Sequence, residues 1–189
     1  MLSDFGAVDA FELDDEARAI ARRKMPIDVK PGMLPEGVPF ASDTYDIVLA
    51  LDVLEHVEKD VESLAVLCAK LSPGGRLIVT VPAHPWMWSS HDVKHHHYRR
   101  YTHRRLTDAL KAAGLRPVRM SYFNTFLFPV AAAIRLIRNL IGGSSNSDDR
   151  MPSPAINSIL KSVFSAERSL VARHNLPVGV SLLAVAERS

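Results

Sequence analysis

The densest group of reactive side chains lies between Pro82 and Tyr101, in Pro82-Ala83-His84-Pro85-Trp86-Met87-Trp88-Ser89-Ser90-His91-Asp92 and then His95-His96-His97-Tyr98-Arg99-Arg100-Tyr101. An imidazole changes charge near neutral pH, so His96 or His97 suits a general base acting on a hydroxyl or acid. Arg99 or Arg100 can grip a carboxylate or phosphate with two parallel hydrogen bonds. The same arginines can instead anchor the loop to acids, with Tyr98 or Tyr101 packed beneath it, and both roles stay open at this point. His91, Asp92 and His95 to His97 include acceptable metal-ligand types. Adjacent histidines lack the fixed spacing of recognised zinc motifs, however, and no metal is assigned.

A second candidate is Glu12, which closes an apolar run just before a helical pattern. An acid at the carboxyl end of a strand can accept two hydrogen bonds from ribose hydroxyls. The alternative is a solvated acid favoured by the positive end of the following helix. Asp46 begins its strand rather than ending it, which suits a turn or cap better than catalysis.

The elements that must position these residues are legible as alternating strands and helices, the pattern of a largely parallel sheet. Residues 7–12 read as a strand. Asp14 or Asp15 then caps a helix with Ala17, Ile20 and Ala21 on one face, stopped by Pro26, and a short strand follows at 27–30. Residues 45–51, after Asp43, form an apolar run interrupted only by Asp46 and are expected as a central strand buried on both faces. Asp60 is expected to cap a helix through Leu71. The Ser72-Pro73-Gly74-Gly75 turn leads into a strand at 76–81, which Pro82 ends.

Further along, Thr102 caps a helix with Tyr101 and Leu106 at staple positions, and Gly114 suits its left-handed end. A strand at 118–123, an apolar helix at 126–140 carrying Arg135 and Arg138, a Gly/Ser/Asn/Asp/Pro loop at 142–154, a helix around Ile156 to Phe164 and a final strand at 178–186 complete the chain. Core packing is the favoured role of the 126–140 helix over contact with a membrane surface.

The chain has 189 residues, is 47% hydrophobic and carries a formal net charge of +2. That suits one α/β domain and is too weak a charge to indicate nucleic-acid binding. The acids gather near the start and the bases between Lys94 and Arg119. The lone cysteine, Cys68, excludes an internal disulfide, falls on a helical apolar stripe and is expected in the core. With no signal-peptide pattern, the expected compartment is the cytoplasm.

Three segments combine into a family resemblance. They are Leu34-Pro35-Glu36-Gly37-Val38-Pro39-Phe40, the run from Tyr45-Asp46 through Leu51-Asp52-Val53-Leu54-Glu55-His56-Val57, and Leu71-Ser72-Pro73-Gly74-Gly75-Arg76-Leu77. In their order and spacing they resemble the type 11 group of class I S-adenosylmethionine-dependent methyltransferases. The 82–101 segment is similar to a subgroup with a Pro-Ala, Trp-Ser, His-Asp, His-x-Arg-Arg-Tyr arrangement.

The resemblance implies a single Rossmann-like α/β domain, a mostly parallel sheet with helices on both faces, an antiparallel last strand and a helical insertion at about 124–175. It implies that S-adenosylmethionine is the cofactor: Glu12 would hold its ribose, Met33 and Leu34 would line its adenine, and Asp52, Val53 and Leu54 would face its methionine. The implied partner is a small-molecule methyl acceptor, with the arginines suited to an anionic group on it. The family's first strand and its glycine-rich loop have no counterpart, and the missing strand would lie between those ending at Glu12 and Leu51. Two other functions are therefore carried: a non-catalytic remnant that serves as a binding module, and a metal-dependent hydrolase using the histidines.

Overall fold

Strands and helices alternate as the sequence requires, and the computed structural model, which describes residues 2–24, 27–40, 44–141 and 153–189, divides them between two units, Met1–Thr44 and Tyr45–Ser189. The first unit is a strand–helix–strand crossover. Strand β1 (Ala10–Glu12) pairs in parallel with β2 (Val29–Pro31), and Glu12 lies opposite Pro31. Helix α1 (Asp15–Lys24) joins them. The Asp14 side chain accepts the Ala17 N–H at 2.7 Å, which satisfies one of the orphan donors of the first turn. Asp15 and Glu16 at the start of α1 and Arg22, Arg23 and Lys24 at its end complement the helix dipole. Among the described residues of this unit, Val29 and Phe40 are the buried apolar ones. The sequence signals at Pro26 and Asp43 lie outside the described residues.

The second unit is built on a four-stranded sheet in the order β3-β4-β6-β5. Its strands are β3 (Tyr45–Leu51), β4 (Leu71–Pro82), β5 (Leu115–Phe123) and β6 (Ser181–Arg188). β3 is parallel to β4, while β6 is antiparallel to both β4 and β5. Thus β3, β4 and β5 share one direction and β6 alone is reversed, as expected for the last strand. Leu77, Val79 and Val81 on β4, and Leu182, Ala184 and Ala186 on β6, are fully buried at alternate positions. Each of the larger side chains contributes about 1.5–3 kcal/mol on burial.

Leu64 and Leu67 of α2 (Asp60–Ala69) and Leu106 and Leu110 of α4 (His103–Ala112) complete that core. Cys68 is buried with them. Thr102 accepts the Arg105 N–H at 3.1 Å, and Gly114 takes a φ of 78° that closes α4. Between β5 and β6 lie α5 (Phe128–Ile141) and α6 (Pro154–Arg173), within the expected 124–175 insertion. Glu167 of α6 is buried and accepts the Thr125 and Phe126 N–H groups at 3.0 and 3.4 Å, tying α6 to the entry of α5. The polar loop expected at 142–154 lies almost wholly outside the described residues. No described helix is long and apolar enough to cross a membrane.

Two expectations are corrected. β3 has the expected bounds but is an edge strand of its sheet rather than a central one buried on both faces. Among the described residues it pairs only with β4, and Ile47, Leu49 and Leu51 are 60%, 38% and 51% exposed. An apolar run reports affinity for burial and cannot by itself name the neighbours that provide it. The second correction concerns α2, whose N-cap residue is Lys59. Asp60 falls one position inside the helix, where Oδ1 accepts the Val61 N–H at 3.0 Å and Oδ2 is turned to the Arg99 and Tyr101 side chains. Asp46 matches its expected turn role by accepting the Ser72 hydroxyl at 2.8 Å.

Candidate active site

Polar residues gather where β3 and β4 end side by side. The Asp52 N–H donates to the Thr80 carbonyl and to its hydroxyl, both at 3.0 Å, which pins the end of β3 to β4. Asp52 has a φ of 52°, a left-handed conformation that turns the chain out of the sheet and into a short 3₁₀ turn, Leu54–His56. Leu54 is fully buried and Glu55 nearly so, which wedges this turn into the fold. Val53 is half-buried, and the Asp52 carboxylate is exposed.

The chain leaving β4 folds back over the same edge. Ala83 bridges Tyr101, the His84 N–H donates to the Tyr101 carbonyl at 2.9 Å, and the Tyr98 N–H donates to the Glu55 carbonyl at 2.7 Å. A one-turn helix, α3 (Ser90–Lys94), lies within this loop. Ser89 and Asp92 form a reciprocal capping box at its start.

Asp92 is the hub of the loop. It has no solvent exposure and accepts four hydrogen bonds: from the Ser89 N–H at 2.9 Å, the Ser89 hydroxyl at 3.0 Å, His97 Nδ1 at 3.0 Å and Arg100 Nε at 2.7 Å. Burial alone would raise its pKa, but the Arg100 hydrogen bond and charge, helped by His97 and Ser89, outweigh it and hold the carboxyl below its ordinary value. Since a carboxylate only accepts, Nδ1 of His97 carries the proton and Nε2 presents a lone pair. Arg100 also donates to the Ala83 carbonyl at 3.3 Å.

His97 faces the turn after β3. Its ring meets that of His56 edge to face, with centroids 4.5 Å apart. Glu55 lies beside them, and one ligand atom from each of Glu55, His56 and His97 falls within 4.8 Å of the others. Glu55 is only 2% exposed and its Oε2 finds no hydrogen-bond partner. Burial, reinforced by the negative charges of Asp52 and Asp92, pushes its carboxyl up to about 7. Burial and then the neighbouring His97 lower the pKa of His56, favouring the neutral imidazole. The arrangement joins an oriented base, a second neutral imidazole and a carboxyl poised to exchange a proton near neutral pH.

Of the expected site residues, Glu12, Met33 and Leu34 come together in the first unit. The Glu12 carbonyl accepts the Gly32 N–H at 3.3 Å, and Met33 exchanges backbone hydrogen bonds with Gly37 just beyond. The Glu12 carboxylate is half-exposed and accepts the Asp14 N–H at 3.0 Å through Oε1. Asp52, Val53 and Leu54 sit at the end of β3, although the full burial of Leu54 makes it a wedge rather than a contact surface. His96 is exposed with a φ of 56°, whereas His97 is the oriented imidazole of the pair.

Both arginines take the anchoring arrangement. Arg99 pairs with Asp60 at 2.9 Å and donates to the Glu58 carbonyl at 2.7 Å, and Arg100 is held by Asp92. Tyr101 is fully buried beneath the loop and donates to Asp60 at 2.9 Å. Sequence reasoning missed the convergence of Glu55 and His56 on His97, for which no local spacing exists. It also missed α3, whose Ser89-x-x-Asp92 spacing is a capping signal that could have found it.

The residues at these strand ends fit S-adenosylmethionine when each unit is taken by itself. Glu12 offers carboxylate acceptor capacity for ribose hydroxyls, Met33 and Leu34 offer an apolar edge for a flat base, and the exposed Asp52 carboxylate suits an ammonium group.

Residues 4–119 match a family model described as a methyltransferase domain. The chain is similar in structure to an S-adenosylmethionine-dependent methyltransferase from Mesorhizobium loti, at 15% identity over 98% of this chain and 83% of that one, with a TM-score of 0.61. It is similar also to the CcbJ methyltransferase from Streptomyces caelestis, at 11% identity over 100% and 77% of the two chains, with a TM-score of 0.60. The [4+2]-cyclase SpnF matches at 17% identity over 99% and 69%, with a TM-score of 0.55. At such identities the likeness is one of fold. No curated protein matches.

Proposed function

This chain belongs to the methyltransferase-domain family, and from that premise we propose that it transfers the methyl group of S-adenosylmethionine to an oxygen nucleophile, a hydroxyl or an acid, on a small molecule. When bound, the cofactor supplies an electrophilic methyl on a sulfonium. Glu12 holds the ribose, Met33 and Leu34 flank the adenine, and Asp52 with Val53 meets the methionine portion. Leu54 acts through the turn that it wedges in place.

The observation that carries the acceptor side is the buried Asp92 holding His97 by Nδ1 beside Glu55 and His56. Nε2 of His97 takes the acceptor proton, and Asp92 stabilises the resulting imidazolium. His96, exposed on the same loop, is the second candidate base. Arg99 and Arg100 hold the loop rather than the substrate, since each guanidinium already has an acid. A fixed loop keeps the base in line with the nucleophile, and alignment supplies much of the acceleration for methyl transfer to a good nucleophile. The exposed Trp86 and Trp88 and the half-buried His84 provide aromatic surface for the acceptor body.

The test is incubation of the full chain with S-adenosylmethionine and a panel of small hydroxylated and carboxylated compounds, reading S-adenosylhomocysteine release. Turnover that falls at least about tenfold in His97→Ala, with unchanged S-adenosylhomocysteine affinity, supports the assignment. Calorimetric titration showing no S-adenosylhomocysteine binding would instead favour the binding-module reading. The match to a [4+2]-cyclase of the same fold fits the rule that a fold does not dictate the reaction, so the assay must read methyl transfer itself.

A further inference from the structure

We propose that Glu55, His56 and His97 form a binding site for one divalent transition-metal ion of the zinc class, in a two-histidine, one-carboxylate arrangement with an open position for an oxygen ligand. The proposal rests on the geometry of these three residues and does not depend on methyl transfer; with the metal bound, Nε2 of His97 is occupied, so its role as base belongs to the metal-free chain.

The ligand atoms already lie within 4.8 Å of one another. A shell with bonds of about 2.0–2.2 Å needs neighbouring ligand atoms roughly 3.0–3.6 Å apart. His56 is exposed, and closing that gap requires its ring to turn from its hydrogen bond to the His95 backbone. Glu55 supplies the independent sign of a ligand. Its side chain is 98% withdrawn from solvent, and Oε2 has no donor. A buried carboxylate oxygen left without a partner is costly, and a cation is the ligand that answers it.

The surrounding cations are committed elsewhere, Arg100 to Asp92 and Arg99 to Asp60. His97 is prepared in the manner of a metal ligand: the Asp92 carboxylate fixes Nδ1–H and leaves Nε2 free, the second-sphere arrangement that orients metal-binding imidazoles. Imidazole and carboxylate together suit zinc, cobalt and related ions rather than calcium or magnesium, which prefer oxygen alone. His91 and His95, with ring centroids 4.2 Å apart, are exposed neighbours of the His97 ring at 6.4 and 6.3 Å but fall outside the three-residue cluster, and they serve as the internal control.

The experiment is titration of the chelator-treated full chain with cobalt(II) and then zinc(II), without cofactor or acceptor, read by calorimetry and by the visible absorption of cobalt. One equivalent is expected to bind, with visible bands of low-coordinate cobalt that zinc displaces. His56→Ala should weaken binding by about tenfold to hundredfold, as should His97→Ala. Asp92→Asn, which disturbs the second sphere, should weaken it by about tenfold or more. The exposed His56 makes its variant the safe one for folding, checked by circular dichroism. The double variant His91→Ala/His95→Ala should bind as the unaltered chain does. Absence of stoichiometric binding overturns the proposal. So does binding that survives His56→Ala, or that disappears in the His91/His95 double variant alone.

Discussion

Asp92→Asn is the most informative single change, because four donors converge on one fully buried carboxylate. Oδ2 faces two Ser89 donors, and Oδ1 faces His97 and Arg100. An amide can present its oxygen to only one of these sides and must turn its NH2 group against the donors of the other. It also leaves the Arg100 guanidinium, 9% exposed, without its counter-charge. Breaking one side of a buried ion pair costs about 3–5 kcal/mol. For a chain of this size that is a fall in melting temperature of about 6–20 °C.

The loss must also depend on pH in a stated direction. The Asp92 pKa is lower in the folded protein than its ordinary value of 3.8. Its ionised form therefore contributes stability that is fully present above that value and is lost as the pH falls through the folded pKa. Thermal melts followed by circular dichroism should show the largest gap between the two proteins near pH 7 and convergence in acid. A melting temperature for Asp92→Asn within a degree or two of the unaltered chain at pH 7 would refute the reasoning, because it would mean that solvent already screens the hub.

Glu12→Ala should weaken S-adenosylhomocysteine binding by roughly 10- to 100-fold, the worth of hydrogen bonds to a charged acceptor, and an unchanged calorimetric affinity removes Glu12 from the cofactor site. Arg99→Ala should lower stability by about 1–3 kcal/mol while leaving S-adenosylhomocysteine affinity intact, since it loses the Asp60 and Glu58 contacts. A raised acceptor KM with an unchanged melting temperature would return Arg99 to the role of anion clamp. In chelator-treated protein the Glu55 carboxyl, raised from 4.5 to about 7, makes the fold lose stability as pH rises through that interval. Glu55→Gln should abolish that loss and be more stable at pH 8.5 by on the order of 3 kcal/mol, as read by denaturant titration at pH 4 and 8.5.

The sequence by itself determined which strands and helices form and in what order, because those signals act over a few residues; several ends moved, with β4 taking in the expected Ser72–Gly75 turn and α6 running on to Arg173. The run from Tyr45 to Leu51 is a strand with the expected bounds, the Asp14 and Thr102 side chains cap the helices that follow them, and Gly114 takes the left-handed conformation that ends α4. Steric preference, hydrogen-bonded caps and apolar periodicity are properties of a local segment, so they survive being read one segment at a time. The order of strand-end motifs was legible for the same reason, and it carried the methyltransferase resemblance that the family match bears out.

Tertiary structure alone decided which of these ends meet. The β3–β4 register puts Leu51 opposite Thr80, so the turn carrying Glu55 and His56 lies beside the chain that leaves Pro82 and returns as His97. It also decided that Asp92 holds Arg100, that Asp60 serves Arg99 and Tyr101 from inside α2, and that β3 lies at a sheet edge. Those outcomes depend on strand pairing and on which charges become buried together, for Asp60 with Tyr101 across 41 residues of chain. Neither is encoded in the spacing of any one segment, because Coulomb attraction and desolvation act on distances in space.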